Sequence, residues 1–182
     1  MKALILIRSQ FQDQEVHYPY HRLREEGCEP IVMAEKTGMI KGILGTEIEA
    51  QWQHGKFRNL SGLGGSDLRE MDLLVIPGGV KAMEKLRQDE DVLTFIKGWM
   101  YEGKTLSMMC SGIQLLISAE VVKGRRLTCY PAFGIDAKNA GADYVDAPVV
   151  TDDNLVTSPH HKYLAEWMAE TIRVYEARAH KS

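Results

Sequence analysis

Four short, almost unbroken apolar runs constrain this chain more than any other feature. They are Ala3 to Ile7, Pro30 to Ala34, Asp72 to Ile76 and Thr105 to Met109. Runs of this length without polar alternation are what strands buried on both faces look like. Between them lie stretches with helical spacing. Val16, Tyr20 and Leu23 recur within Glu15 to Glu26, where Gly27 is placed as a C-cap glycine. Val92, Phe95, Ile96 and Trp99 mark a helix over Asp91 to Glu102. Further helices are predicted over Ile113 to Val122, Pro131 to Ala142 and His160 to Arg178. Short strands are predicted at Val145 to Val150 and Asn154 to Thr157. Thr37 to Leu63 reads as a β-hairpin or meander, Ser61 to Ser66 as a glycine-rich turn, and Lys123 to Arg126 as a solvated turn. Strands alternating with helices imply an α/β fold with a mostly parallel sheet covered on both sides. With 182 residues and no linker or repeat, the expectation is one domain spanning 1–182.

The bulk numbers exclude several roles. A formal net charge of -3 leaves no electrostatic footprint for nucleic acid. No apolar run approaches the ~20 residues a membrane span needs. The opening MKALILIR lacks the long apolar core and cleavage site of a signal peptide, so the expected compartment is the cytoplasm. Cys28, Cys110 and Cys129 form no CxxC pair and no metal-ligand spacing, and in a reducing compartment they are expected as free thiols.

Ligands of open parallel sheets bind beyond the carboxyl ends of the strands. Two glycine-containing turns fall there. Thr105 to Met109 runs into Cys110-Ser111-Gly112 and then a helix, which is strand, nucleophile, sharp turn, helix. This is the pattern of a nucleophile elbow with a thiol in place of a hydroxyl. Helix-start amides can favour the thiolate and can hold an oxyanion. The competing reading is a buried cysteine packed as a small hydrophobe. Pro77-Gly78-Gly79 ends the Asp72 run, and is either a second source of oxyanion-binding N–H groups or a tight turn. Glu15, early in the first helix, is placed to reach the same edge. A carboxyl desolvated beside a thiol can stay protonated and donate to the thiolate; the alternative is a solvent-facing acid at a helix start. His160 or His161, before the last helix, is a candidate base against the reading of a surface histidine. His17 and His21 share a helix face at i,i+4, but no third metal ligand accompanies them.

Taken together, these residues resemble the ThiJ/PfpI superfamily, and within it the PfpI-like branch of intracellular proteases and deglycases. The resemblance runs through Phe11-Gln12-Asp13-Gln14-Glu15 with Tyr18-Pro19-Tyr20, Leu74 to Gly79, Cys110 to Ala119, Asn139 to Ala142 and Ala165 to Met168. It implies a flavodoxin-like three-layer sandwich that forms homodimers or larger homo-oligomers. It implies Cys110 as the nucleophile with Glu15 hydrogen-bonded to it, and backbone N–H groups at Gly79 and Ser111 as the oxyanion hole. Gly78, Tyr130 and His160 would line the substrate site, and Glu84 would reach a neighbouring subunit. Two positions depart from the branch: Ser111 stands where histidine is usual, and Gln12 where an acid is usual. Both weaken a Cys-His-Glu peptidase. The reading that follows is a cofactor-independent, metal-free cysteine enzyme acting on a small electrophilic molecule, glyoxalase- or deglycase-like. The alternatives are a redox-sensing or chaperone-like stress protein with an oxidisable Cys110, and an isonitrile hydratase-like lyase.

Overall fold

The computed structural model describes residues 1–54 and 68–179. Its centre is a seven-stranded sheet built from β1 (Ala3–Leu6), β2 (Ile31–Ala34), β5 (Trp52–Gln53), β6 (Leu73–Ile76), β7 (Thr105–Met109), β10 (Val150–Asp152) and β11 (Leu155–Ser158). The order is β10-β11-β7-β6-β1-β2-β5, and only β10 runs antiparallel to its neighbour. The five strands β2-β1-β6-β7-β11 reproduce the flavodoxin-like order 2-1-3-4-5.

Alternate residues of these strands feed two cores, as a period of two requires. Leu4, Leu6, Leu74, Ile76, Leu106 and Met108 pack under α2 (Val80–Leu86), α3 (Glu90–Tyr101), α4 (Ile113–Ser118) and α5 (Gly134–Asn139). Ala3, Ile5, Ile7, Leu73, Val75 and Val156 face α1 (Asp13–Glu25) and α6 (Leu164–Ala179). Burial on both faces accounts for the unbroken apolar runs of the sequence.

Outside the sheet, β3 (Gly38–Lys41) and β4 (Glu47–Ala50) form an antiparallel hairpin, the expected element of this region. Asp13 holds it against α1, because its carboxylate accepts from the backbone N–H groups of Leu44 at 2.7 Å and Thr46 at 2.9 Å. The part of the predicted meander beyond residue 54 and the Ser61 to Ser66 turn lie outside the described residues.

Three predicted boundaries change, and so does the reading of one turn. No strand spans Val145 to Val150. The chain pairs instead at β9 (Asp143–Tyr144), beside β8 (Arg126–Leu127), and again at β10. Pro148 lies between them and has no N–H for a ladder. The helix after Cys110 stops at Ser118 rather than Val122. There Glu120 takes φ 60°, Glu120 N–H reaches Ile117 O at 3.0 Å and Val121 N–H reaches Leu116 O at 3.1 Å, a Schellman ending. The Pro131 to Ala142 stretch begins as a 3-10 turn, and α5 proper covers only its middle. Arg125 is not simply solvated: its Nε donates to Asp152 Oδ2 at 2.7 Å and it also reaches Asn154 Oδ1 at 3.1 Å. The seven-residue helix α2 is too short to announce itself by periodicity.

Candidate active site

Strand β7 delivers Cys110 to the carboxyl edge of the sheet. Met109 ends in an extended conformation, Cys110 turns to φ 60°, and Cys110–Gly112 form a 3-10 turn that leads into α4. A positive φ at a residue bearing a side chain is uncommon and marks a forced turn. Gly112 permits it, since a Cβ there would sit 2.9 Å from Pro77 O. Behind the strand, Ser107 Oγ and Thr171 Oγ1 are hydrogen-bonded at 2.6 Å, tying β7 to α6. In front, Tyr130 N–H donates to Cys110 O at 3.2 Å.

Glu15 arrives from the first turn of α1 and is fully buried. Its Oε2 accepts the Gly78 N–H at 2.6 Å, and its carboxyl hydrogen-bonds with the Cys110 thiol. A Cβ on Gly78 would come within 2.6 Å of Glu15 Oε2 and 3.1 Å of Cys110 Sγ, so glycine is what lets the acid and the sulfur meet. Gly79 adopts φ 110°, and a Cβ there would strike Gln10 O at 2.7 Å. The Pro77-Gly78-Gly79 turn is therefore built by close approach as well as by chain reversal.

Gln12 is the N-cap of α1, and its side-chain oxygen accepts the Glu15 N–H at 2.9 Å. An uncharged amide thus does the capping where an acid was anticipated, and it orients the first turn without adding a second charge beside Glu15. Ser111 is fully buried, and both its hydroxyl and its N–H bear on the sulfur.

Burial pushes the Glu15 carboxyl up to about 7, against opposing hydrogen bonds from Gly78 and Cys110. Burial also pushes the Cys110 thiol up, and the nearby Glu15 charge adds to the rise. The Ser111 N–H works in the other direction but is outweighed. The sequence pointed to helix-start amides lowering this thiol; in the fold, desolvation is the larger effect. The two groups titrate as a pair. Their first proton leaves near 7. It comes from the carboxyl, and burial together with the Glu15 charge then holds the thiol protonated beside the carboxylate, because two adjacent buried anions are too costly.

The rim is aromatic and imidazole-rich. Tyr130 is exposed, and its ring lies 6.4 Å from that of His160 at 24°. His160 accepts the Lys162 N–H through Nδ1 at 3.2 Å, so its role in the chain is a cap. His161 is the histidine that faces the acid: its Nδ1 is 4.0 Å from Glu15 Oε1. Sequence reasoning favoured His160 for the site and left His161 as its equal only as a base; the tandem pair before a helix was the available signal. Glu84 lies exposed on α2, away from the sulfur within one chain.

His17 and His21 stack with centroids 6.5 Å apart, and His17 Nε2 is hydrogen-bonded with Thr46 Oγ1 at 2.9 Å. Among the described residues no group of three or more His, Cys, Asp or Glu could hold a metal ion. None of the described helices is long and apolar enough to cross a membrane.

The profile of the DJ-1/PfpI family matches residues 1–174. This chain belongs to the DJ-1/PfpI family. A deglycase of Pyrococcus abyssi is 42% identical over 176 residues, covering 96% of this chain and 99% of that one. Protein/nucleic acid deglycase 2 of Escherichia coli is 36% identical over 177 residues, covering 97% and 98%. Among solved structures, a ThiJ/PfpI domain protein from Brachyspira murdochii superposes with a TM-score of 0.86 at 20% identity, over 97% of this chain and 96% of that one. That last likeness speaks to the fold alone. The relatives named as deglycases are enzymes, and they share the DJ-1/PfpI domain over nearly its full length.

Proposed function

We propose that the protein is a cysteine-dependent, deglycase-like enzyme acting on small carbonyl-derived adducts. The observation that carries this is the hydrogen-bonded meeting of the Cys110 thiol and the Glu15 carboxyl over Gly78 at a forced elbow. The DJ-1/PfpI relatives named as deglycases support the substrate class. In this reading the Cys110 thiolate adds to the electrophilic carbon and forms a C–S bond, while the C–O electron pair moves onto oxygen. The N–H groups of Gly79 and Ser111 steady that oxyanion. The adduct's own C–S bond breaks as its thiol leaves with a proton from Glu15, and water then cleaves the enzyme C–S bond, releasing the carbonyl product and restoring the Cys110 thiol, with Glu15 reprotonated. Gly78, Tyr130 and His160 border the substrate, with the exposed Tyr130 ring as its outer wall. We further propose that the chain works as a homo-oligomer. Val80, 42% exposed at the start of α2, and the exposed Glu84 support a contact on this face.

The test is turnover of a methylglyoxal adduct of N-acetylcysteine, beside peptides and isonitriles, by wild type and Cys110→Ala. Release of free thiol by wild type and none by Cys110→Ala is the expected result. Turnover of only the isonitrile would move the protein to the lyase reading. Equal activity of the two proteins would remove Cys110 from the chemistry.

A further inference from the structure

Each oxygen of the Glu15 carboxyl meets a different environment. Oε2 accepts the Gly78 N–H at 2.6 Å, whereas Oε1 is buried with no hydrogen-bond partner among the described residues. A buried carboxyl oxygen without a partner is unfavourable in either protonation state, and such an atom calls for an explanation. The group facing it is His161, with Nδ1 at 4.0 Å. The His161 side chain is 38% exposed while Glu15 is sealed, so this one ring spans from solvent to the buried acid. His160 cannot take that place. Its Nδ1 is engaged by the Lys162 N–H, and its ring lies 3.9 Å from that of His161, backing it on one side. A small swing of the His161 ring closes 4.0 Å to a hydrogen bond, a tightening common when an open site engages its substrate.

We propose that His161 is a positioning residue that carries the Glu15 proton between the buried pair and solvent. The Oε1–H bond breaks as an Nδ1–H bond forms, and the ring gives its Nε2 proton to water. One proton leaves the pair and no electrons are transferred. The reverse sequence reloads Glu15. The groups that bear on His161 are Glu15 from α1 and the His160 ring of its own turn, with Lys162 next in the chain. Glu15 is the carboxyl within ion-pair distance of it among the described residues. The inference rests on the reading of Cys110 and Glu15 as the reacting pair.

The experiment compares wild type, His161→Ala, His161→Gln and Cys110→Ala on the methylglyoxal adduct of N-acetylcysteine. Iodoacetamide labelling of Cys110 is read in parallel by peptide mass. The expected result is a kcat lower by about tenfold or more in both His161 variants at unchanged KM. Added imidazole should restore most of the His161→Ala rate, and Cys110 should still label as in wild type. A wild-type kcat and pH profile in His161→Ala overturns the relay. So does a deficit that imidazole does not rescue, or one accompanied by lost labelling, which would make His161 structural. If Cys110→Ala turns over as wild type does, the underlying reading fails, and that outcome is distinct from a silent His161.

Discussion

At the amino edge of the sheet a cavity of about 580 Å³ is ringed by Asp72, Lys104, Tyr175 and Arg178. At the carboxyl edge sit Cys110 and Glu15. The amino-edge cavity has its polar groups paired. Tyr175 Oη donates to Asp72 Oδ2 at 2.7 Å, Arg178 donates to Gly103 O at 2.8 Å and pairs with Asp153, and Lys104 meets Glu102 at 3.0 Å. The carboxyl edge has a residue at φ 60°, a buried carboxyl oxygen without a partner, and an acid pushed up to about 7. Paired charges around a hollow stabilise a fold. Unpaired groups and a forced backbone are disfavoured unless chemistry uses them. By that measure the carboxyl-edge site is the reactive one.

The largest effect that can break this contrast is Cys110→Ala. Turnover should fall by orders of magnitude while urea unfolding changes little, and an active variant would erase the distinction between the edges. Next comes glycine to alanine at two places. Gly78→Ala forces a Cβ to 2.6 Å from Glu15 Oε2 and should part the acid from the sulfur, abolishing most activity. Gly98→Ala on the exposed face of α3 meets nothing within 4 Å. It should stabilise the protein by about 0.5–1 kcal/mol with activity intact. Equal outcomes for the two would mean that close approach at Gly78 has no functional role.

Glu15→Gln gives a smaller, pH-dependent effect. A carboxyl raised by folding favours the folded state fully below its ordinary value near 4.5, and that contribution is lost as pH rises through about 7. Wild type should therefore lose stability across that window relative to Glu15→Gln, by at most about 3 kcal/mol. Urea titrations at pH 5 and pH 8 read the difference, and a constant gap between the two proteins would contradict it. The smallest effect is at the amino edge. Tyr175→Phe removes its hydrogen bond to Asp72 and should cost about 1 kcal/mol of stability, with turnover unchanged.

The parts legible in the sequence were those decided locally. Unbroken apolar runs marked β1, β2, β6 and β7, because strands buried on both faces have no polar alternation. The small residues after Cys110 marked the elbow, and Gly27 marked the end of α1, where it adopts φ 74°. What stayed hidden depended on distant partners. His161 reaches Glu15 only because α1 and the turn before α6 lie on the same face of the sheet. The balance between desolvation and amide donation at Cys110 is set by what surrounds the sulfur. Gln12 looked like a lost acid and is a cap. The stretch from Val145 to Val150 had apolar residues suited to a strand, but Pro148 interrupts the ladder.

The central claim is that the buried Glu15 carboxyl acts directly on the Cys110 thiol. The rate of iodoacetamide labelling at Cys110, followed by peptide mass from pH 5 to pH 10 in wild type and Glu15→Gln, tests it most directly. The account predicts that Cys110 labels ahead of the buried Cys28 and Cys129, and that its rise moves to lower pH in Glu15→Gln, where the charge that holds the thiol protonated is gone. A labelling profile that is the same in both proteins would contradict that coupling.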